Sequence, residues 1–229
     1  MFPEFSDMPE QVPVMTLPGT VLFPQAMLPL YIFEPRYRKM LSDVLQSHRI
    51  FAIAALQPDG ENELELDEEP VNQIATIGMV RACQKNDDGT ANLILQGIER
   101  VRLSHIVQEE PYRLAAVELL ESIPGAEPDR LCGYREQLEA LLQKKKDFGG
   151  QVPCDVLDFL RKIGEPSVFV DMAAFALTAD LRRKQELLET LEIRQRYKRM
   201  IEMVKQEIME LELLNKVRGS LSDDDIARN

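Results

Sequence analysis

Four prolines, at positions 13, 18, 24 and 29, divide the apolar N-terminal part of the chain into short pieces. Proline has no backbone N–H for a sheet ladder and disrupts a helix interior, so strands hold it at edges, first positions and bulges. A continuous helix or a regular central strand is therefore excluded over residues 12–33. The segment instead predicts short, bent strands, some of them at the edge of a sheet.

A short helix and a buried strand follow these prolines. Pro35 suits the first position of a helix, and apolar residues over 35–45 recur at the three- and four-residue spacing of an amphipathic helix. Residues 49–56 are too few for an ordinary buried helix and predict a central strand, which the turn signal at 58–60 ends. The acidic segment 61–69 predicts a solvated loop and not a cation site.

A hairpin is the strongest local signal in the next part of the chain. The dipeptide Asp88-Gly89 lies between two alternating segments, and such a dipeptide favours a tight β-turn. The hairpin joins residues 79–81 to residues 92–95. With a last strand over 112–120, the pattern predicts a β domain of about six strands within residues 1–121.

The composition changes at residues 122–130, which hold two prolines other than those above and one glycine in a polar stretch, and predict a linker. Residues 131–218 carry apolar residues at helical spacing and predict a helical bundle that ends in a long helix from about residue 192. Residues 219–229 predict a polar tail. The predicted fold class is α+β, a strand domain followed by a helical bundle.

Charge and cysteine content narrow the functional classes. The net charge of -12 and the pI near 4.8 argue against nucleic-acid binding, which depends on clustered Lys and Arg. The three widely spaced cysteines fit neither a disulfide framework nor a CxxC metal clip. The N-terminus is acidic where a signal peptide is basic, and no apolar run reaches the roughly 18 residues of a membrane helix. We expect a cytoplasmic location and no membrane partner.

The motifs of the common enzyme classes are absent from the sequence. Neither His48 nor His105 belongs to a metal-binding pattern, and no phosphate loop, dinucleotide fingerprint or nucleophile elbow occurs. We therefore predict no catalytic residue, no metal and no cofactor. Cys154 precedes an apolar helical segment, so a reactive thiol is a minor alternative to a structural one.

One stretch carries a family resemblance. TLPGTVLFPQAMLPLYIFEPRYRKML, residues 16–41, resembles the start of the Lon protease N-terminal domain family, and in particular its stand-alone bacterial members. The similarity continues through IGMVRAC and DGTANLILQGIERVRL, and covers the chain from about Val12 to Val217. Tyr31 is a departure, because we expect histidine there in many stand-alone relatives.

The resemblance implies a PUA-like β pseudobarrel with one short helix, followed by a helical bundle. In full-length members this region helps select unfolded or tagged substrates, and ATPase and Ser-Lys protease modules follow it. This chain ends just after the long helix, so we expect both modules to be absent and the protein to be no enzyme. The implied function is recognition of unfolded or extended polypeptide in protein quality control, with a protease or chaperone as a further partner.

The N-terminal aromatic residues are the candidate peptide-binding surface. An exposed strand edge beside apolar side chains can accept an extended peptide by strand addition. The candidates are Phe23, Met27, Tyr31, Phe33 and Tyr37, with Arg36 and Arg38 at the rim. The competing interpretation is that these side chains fill the interior of a small barrel, and Arg36 clamps the helix to a strand.

Two other functions remain open. The cleft of the barrel could hold a small regulatory molecule, or Arg81, Arg100, Arg102 and Arg113 could form a basic strip for RNA. Clustering of these arginines on one exposed face would favour RNA, whereas an apolar groove beside a free strand edge would favour peptide. Apolar residues near the end of the long helix are compatible with a monomer or a weak homodimer.

Overall fold

The computed structural model describes residues 9–56 and 71–220, with side chains described up to Val217. The predicted turn at 58–60, the acidic segment 61–69 and the part of the polar tail beyond residue 220 lie outside the described residues. The chain divides into two compact units. One comprises Met1–Glu121 and Thr178–Leu191, and the other comprises Ser122–Leu177 and Glu192–Asn229.

The described part of the first unit holds six strands and two helices. The strands are β1 (Gln11–Leu17), β2 (Met27–Ile32), β3 (Ile50–Ala55), β4 (Ile74–Lys85), β5 (Ala91–Gln108) and β6 (Leu114–Leu120). The helices are α1 (Pro35–Leu45) and α5 (Leu181–Glu189). The predicted short helix and the predicted hairpin are both present, and the hairpin turn closes where the N–H of Asn86 donates to the carbonyl of Thr90 at 2.9 Å.

The sheet closes on itself because β5 is long enough to pair with β2 at one end of the strand order and with β6 at the other. The strand order is β2-β5-β4-β3-β1-β6, and the C-terminal half of β5 also pairs with β6. The strands β1 and β3 run parallel, and the other pairs are antiparallel. The α+β fold with a β pseudobarrel is therefore confirmed.

The interior of the pseudobarrel is filled by aliphatic side chains that alternate along its strands. The buried set is Val12, Val14, Ile50, Ala52, Ala54, Ala75, Ile77, Val101, Leu103 and Ala115. The prolines fit this arrangement, since Pro13 precedes the part of β1 that pairs with β3, and Pro29 lies in a strand with a single partner.

Gly97 lies in β5 at the point where the loop before β2 approaches this strand most closely. Its N–H donates to the carbonyl of Ala26 at 2.9 Å, and its carbonyl accepts from the N–H of Gln25, also at 2.9 Å. A Cβ at position 97 would overlap the carbonyl oxygen of Phe23. The register of β5 against β4 shifts at the same place. Glycine is needed here because the two backbones approach too closely for any side chain.

Helix α5 belongs to the strand unit, which corrects the prediction of one helical domain over 131–218. The Nε of Arg100 on β5 donates to the carbonyl of Leu188 at 2.9 Å, and the Nε2 of Gln185 donates to the carbonyl of Ile74 on β4 at 2.9 Å. Sequence periodicity identified the helix but carried no information on which core its apolar face would join.

The second unit is helical. Its helices are α2 (Pro128–Asp147), α3 (Cys154–Arg161), α4 (Pro166–Leu177) and α6 (Ile193–Ser220). Its buried apolar side chains include Leu138, Leu142, Leu157, Leu160, Phe169 and Val204. The predicted linker 122–130 extends into α2, because this helix begins at Pro128. The first position of a helix suits proline.

A buried ion pair lies at the centre of this helical unit. Arg196 on α6 is completely buried, and its Nε lies 3.2 Å from Oδ1 of Asp171 on α4. Both terminal nitrogens of Arg196 donate to the hydroxyl of Ser122 at 3.1 Å. The neighbouring Tyr197 is buried, which raises the pKa of its hydroxyl, and that hydroxyl donates to the carbonyl of Pro166 at 2.7 Å. These polar groups fix how α4 and α6 pack.

Gly97→Ala should destabilise the protein by at least about 2 kcal/mol, since the added methyl overlaps backbone and the strand must move. Chemical denaturation measures the change. Gly133→Ala is the matched control, because Gly133 lies inside α2 with open space around its Cβ position. That variant should gain about 0.5–1 kcal/mol of stability. Equal effects of the two substitutions would contradict the close approach at Gly97.

Asp171→Ala should cost about 3–5 kcal/mol of stability, because it leaves the guanidinium of Arg196 buried without its counter-charge. The double variant Asp171→Leu with Arg196→Met removes both charges and should be clearly more stable than the single variant. Thermal and urea unfolding of both variants check this. A double variant less stable than Asp171→Ala would show that the ion pair itself, and not the unpaired charge, determines stability.

Candidate functional site: an exposed sheet face and the free edge of β2

The surface of the first unit exposes large apolar side chains at the end of its sheet. The side chains along β2 alternate, and Met27 and Tyr31 are 47% and 55% exposed, while Phe33, just beyond the strand, is 60% exposed. The rings of Tyr31 and Phe33 stack with centroids 6.0 Å apart. Exposing such a cluster to water is unfavourable, because apolar burial lowers the free energy. Exposed apolar patches of this kind often mark a binding site.

The neighbouring strands extend this surface. Tyr31 pairs with Asn92 and Pro29 pairs with Ile94 of β5, and Ile94 pairs in turn with Ala82 of β4. Cross-strand partners project from the same side of a sheet. A shallow cavity of about 480 Å³ lies over this region. We call Met27, Pro29, Tyr31, Phe33 and Ile94 the exposed apolar face.

The opposite side of the same three strands faces the interior. Ile32 of β2 is buried, as are Leu93 and Leu95 of β5, and Leu28 and Leu30 are half-buried. Helix α1 contributes Met40 and Leu41 to the buried set. The two-residue period of a strand therefore separates the N-terminal apolar residues into core and surface sets.

The strand β2 leaves one edge without a strand partner. Among the described strands, β2 pairs with β5 alone. The bond from Gly97 N–H to the Ala26 carbonyl shows that even-numbered residues here direct their backbone groups toward β5. Alternation then turns the backbone groups of Met27, Pro29 and Tyr31 toward the free edge. Pro29 lies where its missing N–H disrupts no ladder bond.

Polar contacts frame the exposed apolar face on one side. The Nε of Arg81 donates to Oε1 of Gln96 at 2.6 Å, and Nε2 of Gln96 donates to Oε1 of Gln25 at 3.2 Å. Arg81 also contacts the sulfur of Met79 at 3.2 Å. Since these contacts direct the exposed guanidinium of Arg81 toward Gln96 and Met79, Arg81 borders the apolar surface and leaves its centre uncharged.

Two of the predicted peptide-binding residues are core residues. Phe23 is 0% exposed and lies under the guanidinium of Arg100, 5.7 Å from its ring centre. Tyr37 is 5% exposed, and its hydroxyl lies 2.9 Å from the hydroxyl of Thr16. Both predictions of surface contact are therefore wrong, because the loop before β2 and the inner side of α1 fill the space that faces the sheet.

The predicted rim residues have partners or lie apart from the face. The Nε of Arg36 donates to Oε2 of Glu34 at 3.0 Å, and its guanidinium lies over the ring of Tyr37. Arg38 lines a different cavity, of about 420 Å³, with Lys39 and Lys85. The structure thus brings together Met27, Tyr31 and Phe33 of the predicted set. Sequence analysis missed Pro29 and Ile94 as surface partners, although the register of the predicted hairpin was a signal for Ile94.

The arginines predicted for RNA do not form one exposed strip. Arg100 is 2% exposed and donates to the carbonyl of Leu188. Arg102 pairs with Glu118 at 3.0 Å, and Arg113 pairs with Glu109 at 3.1 Å. Only Arg81 borders the exposed apolar face. The prediction that Arg100 contributes to a basic surface is wrong, because its guanidinium joins α5 to the sheet.

No metal site is evident in the described part of the chain, since no group of three His, Cys, Asp or Glu side chains there could hold an ion. Cys154 is exposed at the first residue of α3.

A further cavity of about 500 Å³ lies between α5 and residues such as Val21 and Leu56, and both apolar and polar side chains line it. None of the helices in the described ranges is long and apolar enough to cross a membrane.

Comparison with known proteins identifies the family. The ATP-dependent protease La (LON) substrate-binding domain matches residues 11–206. The Lon protease of Dictyoglomus thermophilum is 27% identical over 218 residues, which cover 95% of this chain and 27% of that protein. The Lon protease of Desulfosudis oleivorans is 25% identical over 217 residues, 95% of this chain and 26% of that protein. The chain thus spans about a quarter of these bacterial relatives.

Solved structures agree on the fold. The N-terminal domain of Mycobacterium avium complex Lon protease superimposes with a TM-score of 0.62 at 18% identity, over 85% of this chain and 98% of that one. A Lon N-terminal domain protein from Xanthomonas campestris gives a TM-score of 0.59 at 20% identity, over 83% and 96%. With the family match and the shared fold, the chain belongs to the Lon substrate-binding domain family.

Proposed function

We propose that this protein is a non-catalytic recognition module that binds unfolded or extended polypeptide in protein quality control. The observation that carries the proposal is the exposed apolar face beside the free edge of β2. An unfolded chain offers what such a surface can bind, namely apolar side chains and a backbone with unpaired hydrogen-bonding groups. A folded protein has already buried both.

The charge of the protein favours a class of clients. The net charge of -12 attracts segments that combine apolar and basic residues, and repels acidic ones. The exposed apolar face carries no charged residue of its own, so the general field steers the client while the apolar contacts bind it.

The name of the family supports a role in binding, and the family match is no evidence for catalysis by this chain. The matching region is described as substrate-binding, and it forms about a quarter of the Lon protease relatives. We propose that the protein carries out no proteolysis or ATP hydrolysis itself, and that a protease or chaperone is its partner in the cytoplasm.

The oligomeric state that we propose is a monomer or a weak homodimer. The last turns of α6 expose Leu213 and Leu214. These side chains form a small surface, and a small apolar surface supports weak association at most.

Tyr31→Ala and Phe33→Ala should each weaken binding to an unfolded polypeptide at least about tenfold, since about 1.5 kcal/mol of aromatic burial corresponds to that factor. Fluorescence anisotropy with labelled, reduced and carboxamidomethylated ribonuclease A measures this. The disulfide-bonded form of the same enzyme is the folded control, with nearly the same charge, and should not bind.

Phe159→Ala is the matched control variant, because Phe159 on α3 is also an exposed phenylalanine but lies outside the exposed apolar face. It should bind like the unmodified protein. Absence of saturable binding to the unfolded chain, or equal losses in all three variants, would contradict the proposed function. Salt-sensitive binding of single-stranded RNA instead would support the RNA alternative.

A further inference from the structure

We propose that the client binds as an added antiparallel strand at the free edge of β2, and that the site therefore selects extended segments with apolar residues at every second position. This inference rests on the proposed function and specifies its geometry. Apolar side-chain contact alone would accept any hydrophobic segment, whereas strand addition fixes which backbone groups of the client are used.

The edge of β2 offers a defined set of hydrogen-bonding groups. Since the even-numbered residues pair with β5, the N–H groups of Met27 and Tyr31 and the carbonyls of Met27, Pro29 and Tyr31 face outward. Pro29 offers an acceptor and no donor. An antiparallel client strand therefore donates three N–H groups to this edge and accepts two.

The same geometry aligns the side chains of the client. In an antiparallel pair, residues directly opposite each other share one face of the sheet. The client residues opposite Met27, Pro29 and Tyr31 thus continue the exposed apolar face, and their neighbours in sequence project to the other side. Their N–H groups are also the ones that point at β2, so none of the three can be proline.

Alternating apolar residues meet both requirements at once. Each of the three client residues then buries its side chain against the exposed apolar face and satisfies an outward carbonyl of β2. A segment with the same composition but with its apolar residues adjacent places half of them on the opposite side. The site is consequently selective for a period of two and indifferent to the identity of the intervening residues.

Backbone N-methylation of a short peptide tests this inference. The probe is the labelled peptide Arg-Ser-Val-Ser-Phe-Ser-Val-Ser-Arg, with Phe expected opposite Pro29. Methylation of both Val nitrogens removes two N–H groups that face β2, and should weaken binding at least about tenfold. Methylation of the two Ser nitrogens next to Phe adds the same number of methyl groups on the outward side, and should change the Kd less than about threefold.

The outcomes separate the two levels of the proposal. No binding of the unmethylated peptide, where unfolded ribonuclease A also fails to bind, contradicts the proposed function. Binding of the unmethylated peptide with equal losses in both methylated forms contradicts strand addition only. A loss confined to the Ser-methylated form contradicts the antiparallel direction, because a parallel strand exchanges the inward and outward N–H groups.

Amide hydrogen exchange of the protein gives an independent measurement. When the unmethylated peptide binds, exchange of the Met27 and Tyr31 N–H groups should slow at least about tenfold, because they acquire acceptors. Exchange of Leu28 and Leu30 should change less, since their N–H groups already face β5. Unchanged exchange at Met27 and Tyr31 in the saturated complex would overturn the inference.

Discussion

The pairing of β5 with three other strands is the interaction on which the first unit depends. Its C-terminal half pairs with β6 and closes the pseudobarrel, its N-terminal half pairs with β2 beyond the closed part, and β4 pairs along it from Ala91 to Arg102. Gly97 lies between the two halves and bonds to the loop before β2. Closure protects most strand edges, but β2 lies outside the closed ring, and one of its edges has no partner among the strands that the structure describes. The candidate site is therefore a consequence of how the barrel closes.

Of the N-terminal aromatic residues, two are buried and two are exposed. Phe23 and Tyr37 fill the space on the inner side of the sheet, where Tyr37 bonds to Thr16. Tyr31 and Phe33 lie on the other side, where the two-residue period of β2 directs them, and stack on each other. A strand that is buried on one side and apolar on both has a surplus of hydrophobic surface. That surplus is consistent with a protein that binds other chains.

Buried arginines serve structure in both units, and for Arg100 this burial excludes the role in RNA binding that the sequence left open. Arg100 caps the carbonyl of Leu188, and Arg196 pairs with Asp171 and Ser122. A buried guanidinium needs acceptors or a counter-charge, which the Leu188 carbonyl supplies to Arg100, and Asp171 and Ser122 supply to Arg196. The sequence shows an arginine in a strand or on a helix but does not show whether backbone carbonyls from a distant segment will surround it. For this reason Arg100 does not contribute to the basic strip considered for RNA, while Arg102 and Arg113 are paired with glutamates.

The sequence by itself determined the elements, the α+β class and the hairpin, because prolines, a turn dipeptide and the change from a two-residue to a helical period are local signals. Together with the family resemblance, it also pointed to Met27, Tyr31 and Phe33. Only the tertiary structure decided that Phe23 and Tyr37 are core, that α5 joins the strand unit, and that Ile94 lies beside Pro29. These outcomes depend on contacts between residues far apart in the chain. A local pattern shows the periodicity of a segment but does not show which other segment packs against it.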